Sequence, residues 1–128
     1  KHDLAKAVEA GKEAAEVCRE LKDRHGEGKA MHCVATALVY QDSIVEGLGF
    51  SQEALGIWRA LGSAKDTAFE CICIAQWQLQ IGKADLALRM AKAALVAAEA
   101  VKGSKDLLCS AMQLVVRAHI SQEDFEEA

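Results

Sequence analysis

Proline and asparagine are both absent from the 128 residues. Without proline nothing in the chain removes a helical hydrogen bond or forces a kink. The 24 alanines push the same way, so the composition favours long uninterrupted helices. No run of about 18 apolar residues occurs, which argues against a transmembrane helix and a membrane partner. The N-terminus lacks the charged, apolar, small-residue order of a secretory signal. The chain starts at Lys1 rather than Met, which leaves an upstream address open. Basic excess is lacking too: the net charge is −4, with both signs mixed along the chain. That offers no surface to track phosphates, so nucleic acid is not an expected partner.

Signatures of chemistry are equally scarce. The four histidines, His2, His25, His32 and His119, are scattered without an H-E-x-x-H pair. There is no P-loop or G-x-S-x-G elbow, and Gly47-Leu48-Gly49 lacks the third glycine of a dinucleotide fingerprint. Cys71 and Cys73 are two apart on a helix and point to different sides, so they cannot share a metal. Cys33 and Cys73 add at most two thiolates, too few for structural zinc. His32 and Cys33 are adjacent, diverge by about 100° on a helix, and have no orienting carboxylate. We therefore expect no catalytic residue, metal or cofactor, and no enzyme activity. Five cysteines, an odd number without framework spacing, read as reduced thiols that pack as small buried hydrophobes in the cytoplasm.

What the chain does have is a hairpin. Asp66 to Ile81 places Cys71, Ile74, Ala75, Gln78 and Ile81 near helical spacing. Gly82-Lys83 supplies a turn, since glycine tolerates the left-handed geometry that ends a helix. Ala84 to Val101 then carries Leu86, Ala87, Met90, Ala91, Ala94, Leu95 and Ala98 on one side. Alanines at the crossing points let two backbones come close. Such a hairpin cannot bury its apolar sides without neighbours.

The rest of the chain repeats it. A shift of 40 aligns Leu21, Leu61 and Val101, Cys33 with Cys73, Ala35 with Ala75, and Ala14, Ala54 and Ala94. A shift of 41 suits the last unit better, taking Gly62-Ser63 onto Gly103-Ser104 and Ala87 onto Ala128. Two helices per unit at this period indicate a solenoid of stacked hairpins. The expected helices run Asp3 to Arg24, Glu27 to Gln41, Ile44 to Leu61, the hairpin pair, and Lys105 to Ile120. Ser43 with Glu46 predicts a capping box. Ser121 predicts a cap for a new helix beginning in the acidic run that follows. Gly47 is explained by close packing, whereas Gly49 and Gly56, in the same helix, are candidates for a kink. The units fall at 1–25 (the second helix of a truncated unit), 26–62, 63–102 and 103–128 (truncated). Together they make a single domain of about three units, cut from a longer array.

Glu123-Asp-Phe-Glu-Glu-Ala128 resembles the G-D-Y-E-E-A opening of a second helix in tetratricopeptide repeats, with weaker copies from Asp42 to Gly47 and Gly82 to Ala87. The family's small first-helix residue is matched by Ala35, Ala75 and Val116. Its small second-helix residue is matched by Ala14, Ala54 and Ala94. The chain departs from the family where its Trp is Met31, Cys71 and Met112, and its Tyr is Leu38, Gln78 and His119. The helix-ending proline is missing, and the period exceeds the usual 34 residues. HEAT and armadillo repeats share the longer period and remain open.

The resemblance implies an all-α, right-handed α-solenoid of antiparallel hairpins whose first helices line a concave groove. It implies a protein–protein scaffold or adaptor that holds a peptide segment of a partner there. Carried over by position, the peptide-binding residues are Lys29, His32, Thr36 and Tyr40, then Phe69, Gln76 and Gln80, then Gln113 and Arg117. Val39, Ile72, Leu79, Ser110 and Ile120 share that side, with Ile72 and Leu79 also candidates for core. The groove would suit a peptide with hydrophobic anchors and an acidic residue. The family's carboxylate clamp relies on asparagine, which this chain lacks. Two other roles stay open: the regulatory or sensor arm of a larger regulator, and an architectural subunit of a permanent complex. Exposed ends of the array would also favour self-association.

Overall fold

A computed structural model describes the backbone of residues 2–127 and the side chains of residues 3–123. The described chain is all-helical, with α1 (His2–Glu20), α2 (Arg24–Tyr40), α3 (Ile44–Leu61), α4 (Ala64–Gln80), α5 (Ala84–Glu99) and α6 (Lys105–Glu127). It divides into two compact units, Lys1–Ser63 and Ala64–Ala128. Consecutive helices pack on each other within each unit, and α4 also meets α6.

The helices end on a regular beat. Amides of Asp23, Ser43, Ser63 and Lys83 donate to the carbonyls of Cys18, Leu38, Trp58 and Gln78 at 2.8, 2.8, 3.0 and 2.9 Å. Each closure encloses a residue of positive φ: Lys22 (60°), Asp42 (63°), Gly62 (70°) and Gly82 (76°). This is the closure that satisfies the last helical carbonyls. Glycine adopts it freely, whereas Lys22 and Asp42 carry the side-chain clash, about 1–2 kcal/mol each. The glycine signal finds the Gly82 turn and passes over Lys22, so α2 begins at Arg24 rather than Glu27. Its cap is Asp23, whose carboxylate accepts from the Gly26 amide at 3.0 Å.

In the first unit, Val8, Val34, Ala37 and Leu38 form one apolar cluster, and Met31, Ala54, Ile57 and Trp58 form another. Phe50 packs against both, and Lys12 Nζ lies 5.5 Å from its ring centroid. Trp58 fits only because residue 28 is glycine: a Cβ there would lie 2.6 Å from the indole. Gly47 answers the same need, since its Cβ would sit 2.9 Å from the Ala35 carbonyl oxygen. Glu27, buried in α2, is held by Arg19 Nε at 3.1 Å and Arg24 Nη1 at 2.8 Å, which ties α1 to the start of α2.

In the second unit, α5 buries four residues, Ala87, Ala91, Ala94 and Ala98. Helix α5 packs on both α4 and α6, whose buried residues include Cys71, Ile74 and Ala75 on α4 and Ala111, Leu114 and Ala118 on α6. Gln78 is buried with them, and its Oε1 has no hydrogen-bond partner among the described residues.

Several expectations need correction. No break follows Ile120: α6 is one helix to Glu127, and Ser121 lies within it. Gln122 is where a left-handed residue would follow the beat; the helix continues through it instead, and its side-chain Nε2 donates to Asp85 Oδ1 at 2.7 Å. Side chains 124–128 of the acidic stretch lie outside the described residues, as does that of His2. In α6 the buried residues are Ala111, Leu114 and Ala118, while Met112 and Val116 are more than half exposed. The register there is a shift of 40 from α4, not 41. Ser43 makes no side-chain cap hydrogen bond. Leu86 is exposed beside the alanine stripe of α5. Ala14 is exposed too; α1 packs on α2 and turns Val8 and Ala15 inward instead. Helix α3 runs unbroken through Gly49 and Gly56, and nothing lies within 4 Å of a Cβ built at either.

Two tests of this packing follow. Gly28→Ala should lower stability by about 1–3 kcal/mol through overpacking against Trp58, whereas Gly49→Ala and Gly56→Ala should each raise it by about 0.5–1 kcal/mol. Urea unfolding of the three variants reads the opposite signs. Gln78→Leu, which places the residue of the equivalent Leu38 position, should remove a buried unpaired oxygen and add about 1–3 kcal/mol. A lower urea midpoint for that variant would mean the oxygen is paired in solution.

Candidate functional site

The residues expected to meet a partner lie on α2 in the first unit and on α4 and α6 in the second. On α2, Lys29, His32, Thr36 and Tyr40 step down one face at three- and four-residue intervals. Lys29 and Tyr40 are exposed, and His32 and Thr36 are half-buried. The Thr36 hydroxyl donates to the His32 carbonyl at 3.0 Å and lies 3.5 Å from its Nε2. That back-bond turns Thr36 toward its own helix, so Lys29 and Tyr40 are the freer pair.

On α4, Phe69, Gln76 and Gln80 are exposed, with Phe69 showing 47% of its surface. Ile72 is buried and Leu79 half-buried, which places Ile72 in the core. On α6, Gln113 and Arg117 are exposed. The 40-residue register puts them at the positions of Cys73 and Trp77, one step off the expected face. The residues in register with His32/Ile72, Thr36/Gln76 and Tyr40/Gln80 are Met112, Val116 and Ile120. These three are 54, 57 and 56% exposed and form an apolar stripe along α6. Reading the repeat at 40 through the last helix exposes this stripe in the sequence; the slip at Gly103 hides it.

The structure brings part of the expected set together. Leu79 of α4 and Arg117, Ile120 and Ser121 of α6 line an open hollow of about 300 Å³. Arg117 makes no ion pair within the described residues. Asp85, on the neighbouring α5, spends a carboxylate oxygen on Gln122. The hollow thus pairs two aliphatic side chains with one available guanidinium and a hydroxyl. Its volume is at the small end of ligand pockets, enough for a side chain or two.

The cysteines divide by environment. Cys33 and Cys109 are exposed, contrary to the expectation of buried packing, whereas Cys71 is buried and Cys18 and Cys73 are intermediate. Burial, together with the charge of Glu70, pushes the Cys73 thiol up to about 12. It therefore stays protonated at neutral pH and is a poor nucleophile. Among the described residues no group of three His, Cys, Asp or Glu is placed to hold a metal ion. No helix there is long and apolar enough to cross a membrane.

A scan against protein-family models finds none that matches this chain, and a search of curated proteins finds no relative.

The thiol environments are testable directly. A maleimide added to the native chain at pH 7.5 should label Cys33 and Cys109 within minutes and Cys71 and Cys73 only after denaturation, as resolved by peptide mass mapping. The raised Cys73 value also has a stability consequence. Above pH 9 the unfolded thiol ionises while the folded one keeps its proton, so this contribution is complete below pH 9 and is lost toward pH 12. A Cys73→Ala variant should show a shallower alkaline decline.

Proposed function

We propose that the chain is a non-enzymatic scaffold of tetratricopeptide type, a right-handed α-solenoid that holds a peptide segment of a protein partner. Support for the repeat comes from the helix closures at Cys18, Leu38, Trp58 and Gln78, spaced by 20 residues and so two helices per 40. The single observation that carries the binding role is the hollow on α4 and α6, because Leu79 and Ile120 fall on the side that the resemblance assigns to the partner and Arg117 stands at its edge. An exposed apolar stripe beside a lone cation suits a protein segment better than a small metabolite, which calls for deeper enclosure. Phe69, Gln76 and Gln80 extend the same face of the second unit, and Lys29 and Tyr40 offer a comparable one on the first.

The test compares the wild-type chain with a Phe69→Glu/Arg117→Glu variant whose helicity is unchanged by circular dichroism. A partner retained by the wild type from a cell extract and released by the variant supports binding on the first-helix faces. Equal retention by both moves the interface to the second helices, α3 and α5, and favours an architectural subunit.

A further inference from the structure

We infer that the α4–α6 surface of the second unit takes an acidic amphipathic helix of a protein partner, its carboxylate on Arg117 and its apolar edge along Met112, Val116 and Ile120. This rests on the scaffold reading and names the class of segment it holds. The spacing is the first ground. Met112, Val116 and Ile120 recur every four residues over about 12 Å of helix, and Leu79 closes the hollow at the far end. A straight stripe of side chains on a helix is complementary to the i, i+4, i+7 edge of another helix. An extended peptide needs backbone donors and acceptors in line, and the stripe itself has none. The amides that could serve it, Gln76, Gln80 and Gln113, lie to either side.

Charge is the second ground. Arg117 is exposed and unpaired among the described residues, within a chain whose net charge is −4. It sits against Leu79 and Ile120, where an arriving side chain excludes water and strengthens an ion pair. A guanidinium offers two parallel donors to one carboxylate, so the partner's Asp or Glu is fixed in position as well as in sign. A basic partner would leave Arg117 facing like charge. The net negative field slows an acidic segment's approach, so Arg117 contributes selectivity rather than speed.

The test uses a phage-displayed library of random 16-residue peptides selected on the chain, followed by anisotropy titration of the enriched sequences. Enrichment of apolar residues at i, i+4 and i+7 with Glu or Asp alongside is the expected result. Arg117→Glu should weaken these peptides at least tenfold, and Ile120→Asp should abolish binding, with both variants folded by circular dichroism. Exchanging the peptide's Glu for Lys should restore affinity for Arg117→Glu alone. Peptides that ignore Arg117→Glu but lose binding to Ile120→Asp overturn the acidic class and leave the scaffold surface standing. Peptides indifferent to both substitutions, or no enrichment at all, overturn the surface as well. A concentration-dependent dimer that Ile120→Asp dissolves would show that a second copy covers the stripe, and the proposal would fall.

Discussion

The four buried alanines of α5 set how close its neighbours can come, and much of the second unit follows from that distance. Each is a methyl group on the side turned toward α4 and α6, so backbone approaches backbone with little side chain in between. Dispersion contacts are then made by main-chain atoms whose positions are already fixed by helical hydrogen bonds, and little rotamer entropy is lost. The cost is that α5 buries little apolar area per residue, and the larger side chains of α4 and α6 must fill the remaining space. The first unit solves the same problem with glycine. Gly28 and Gly47 remove a Cβ where Trp58 and the Ala35 carbonyl press in, so bulk on one helix is matched by absence on the next.

A helix ending every 20 residues was legible only in part. Gly62 and Gly82 announce their turns, because no other residue enters positive φ so readily. Lys22 and Asp42 adopt the same geometry without announcing it. There the closure is imposed by the packed hairpin on either side, and tertiary contacts override a local preference worth about 1–2 kcal/mol. The opposite failure occurs at Ser121. A serine followed by acidic residues is a fair helix start, yet α6 runs on through it to Glu127, with the Gln122 side chain donating to Asp85 on α5. Capping motifs mark where a helix can begin, and they do not require one to begin there.

The candidate surface was legible in composition and misplaced in register. The glycine of the last turn sits one residue late, at Gly103, and drew the alignment to 41. Helix α6 itself keeps the 40-residue step, because its register is set by what it buries against α4 and α5. Ala111, Leu114 and Ala118 are the residues small or shapely enough to meet the alanine stripe, and Met112 and Val116 are rotated outward as a result. A loop can absorb an inserted residue at little cost in free energy, since closure entropy grows slowly with length. A packed face cannot, because one residue of slip rotates a helix by about 100°. Burial is therefore the better guide to register wherever turns and faces disagree.

That rotation gives the surface its chemistry. Were the register 41, Gln113 and Arg117 would lead the outward face, and it would present an amide and a cation with no apolar floor. At 40, Met112, Val116 and Ile120 lead, and Arg117 stands at their edge beside Leu79. The two arrangements contain the same residues and differ in what each can hold. A polar face must compete with water for every hydrogen bond, and its net gain per bond is about 0.5–1.5 kcal/mol. An apolar stripe gains by excluding water, and that exclusion lowers the local dielectric around the one charge at its margin. On the proposed reading, selectivity for sign is a property of the stripe as much as of Arg117. Stripping the apolar floor would leave an exposed ion pair, which is worth little in water.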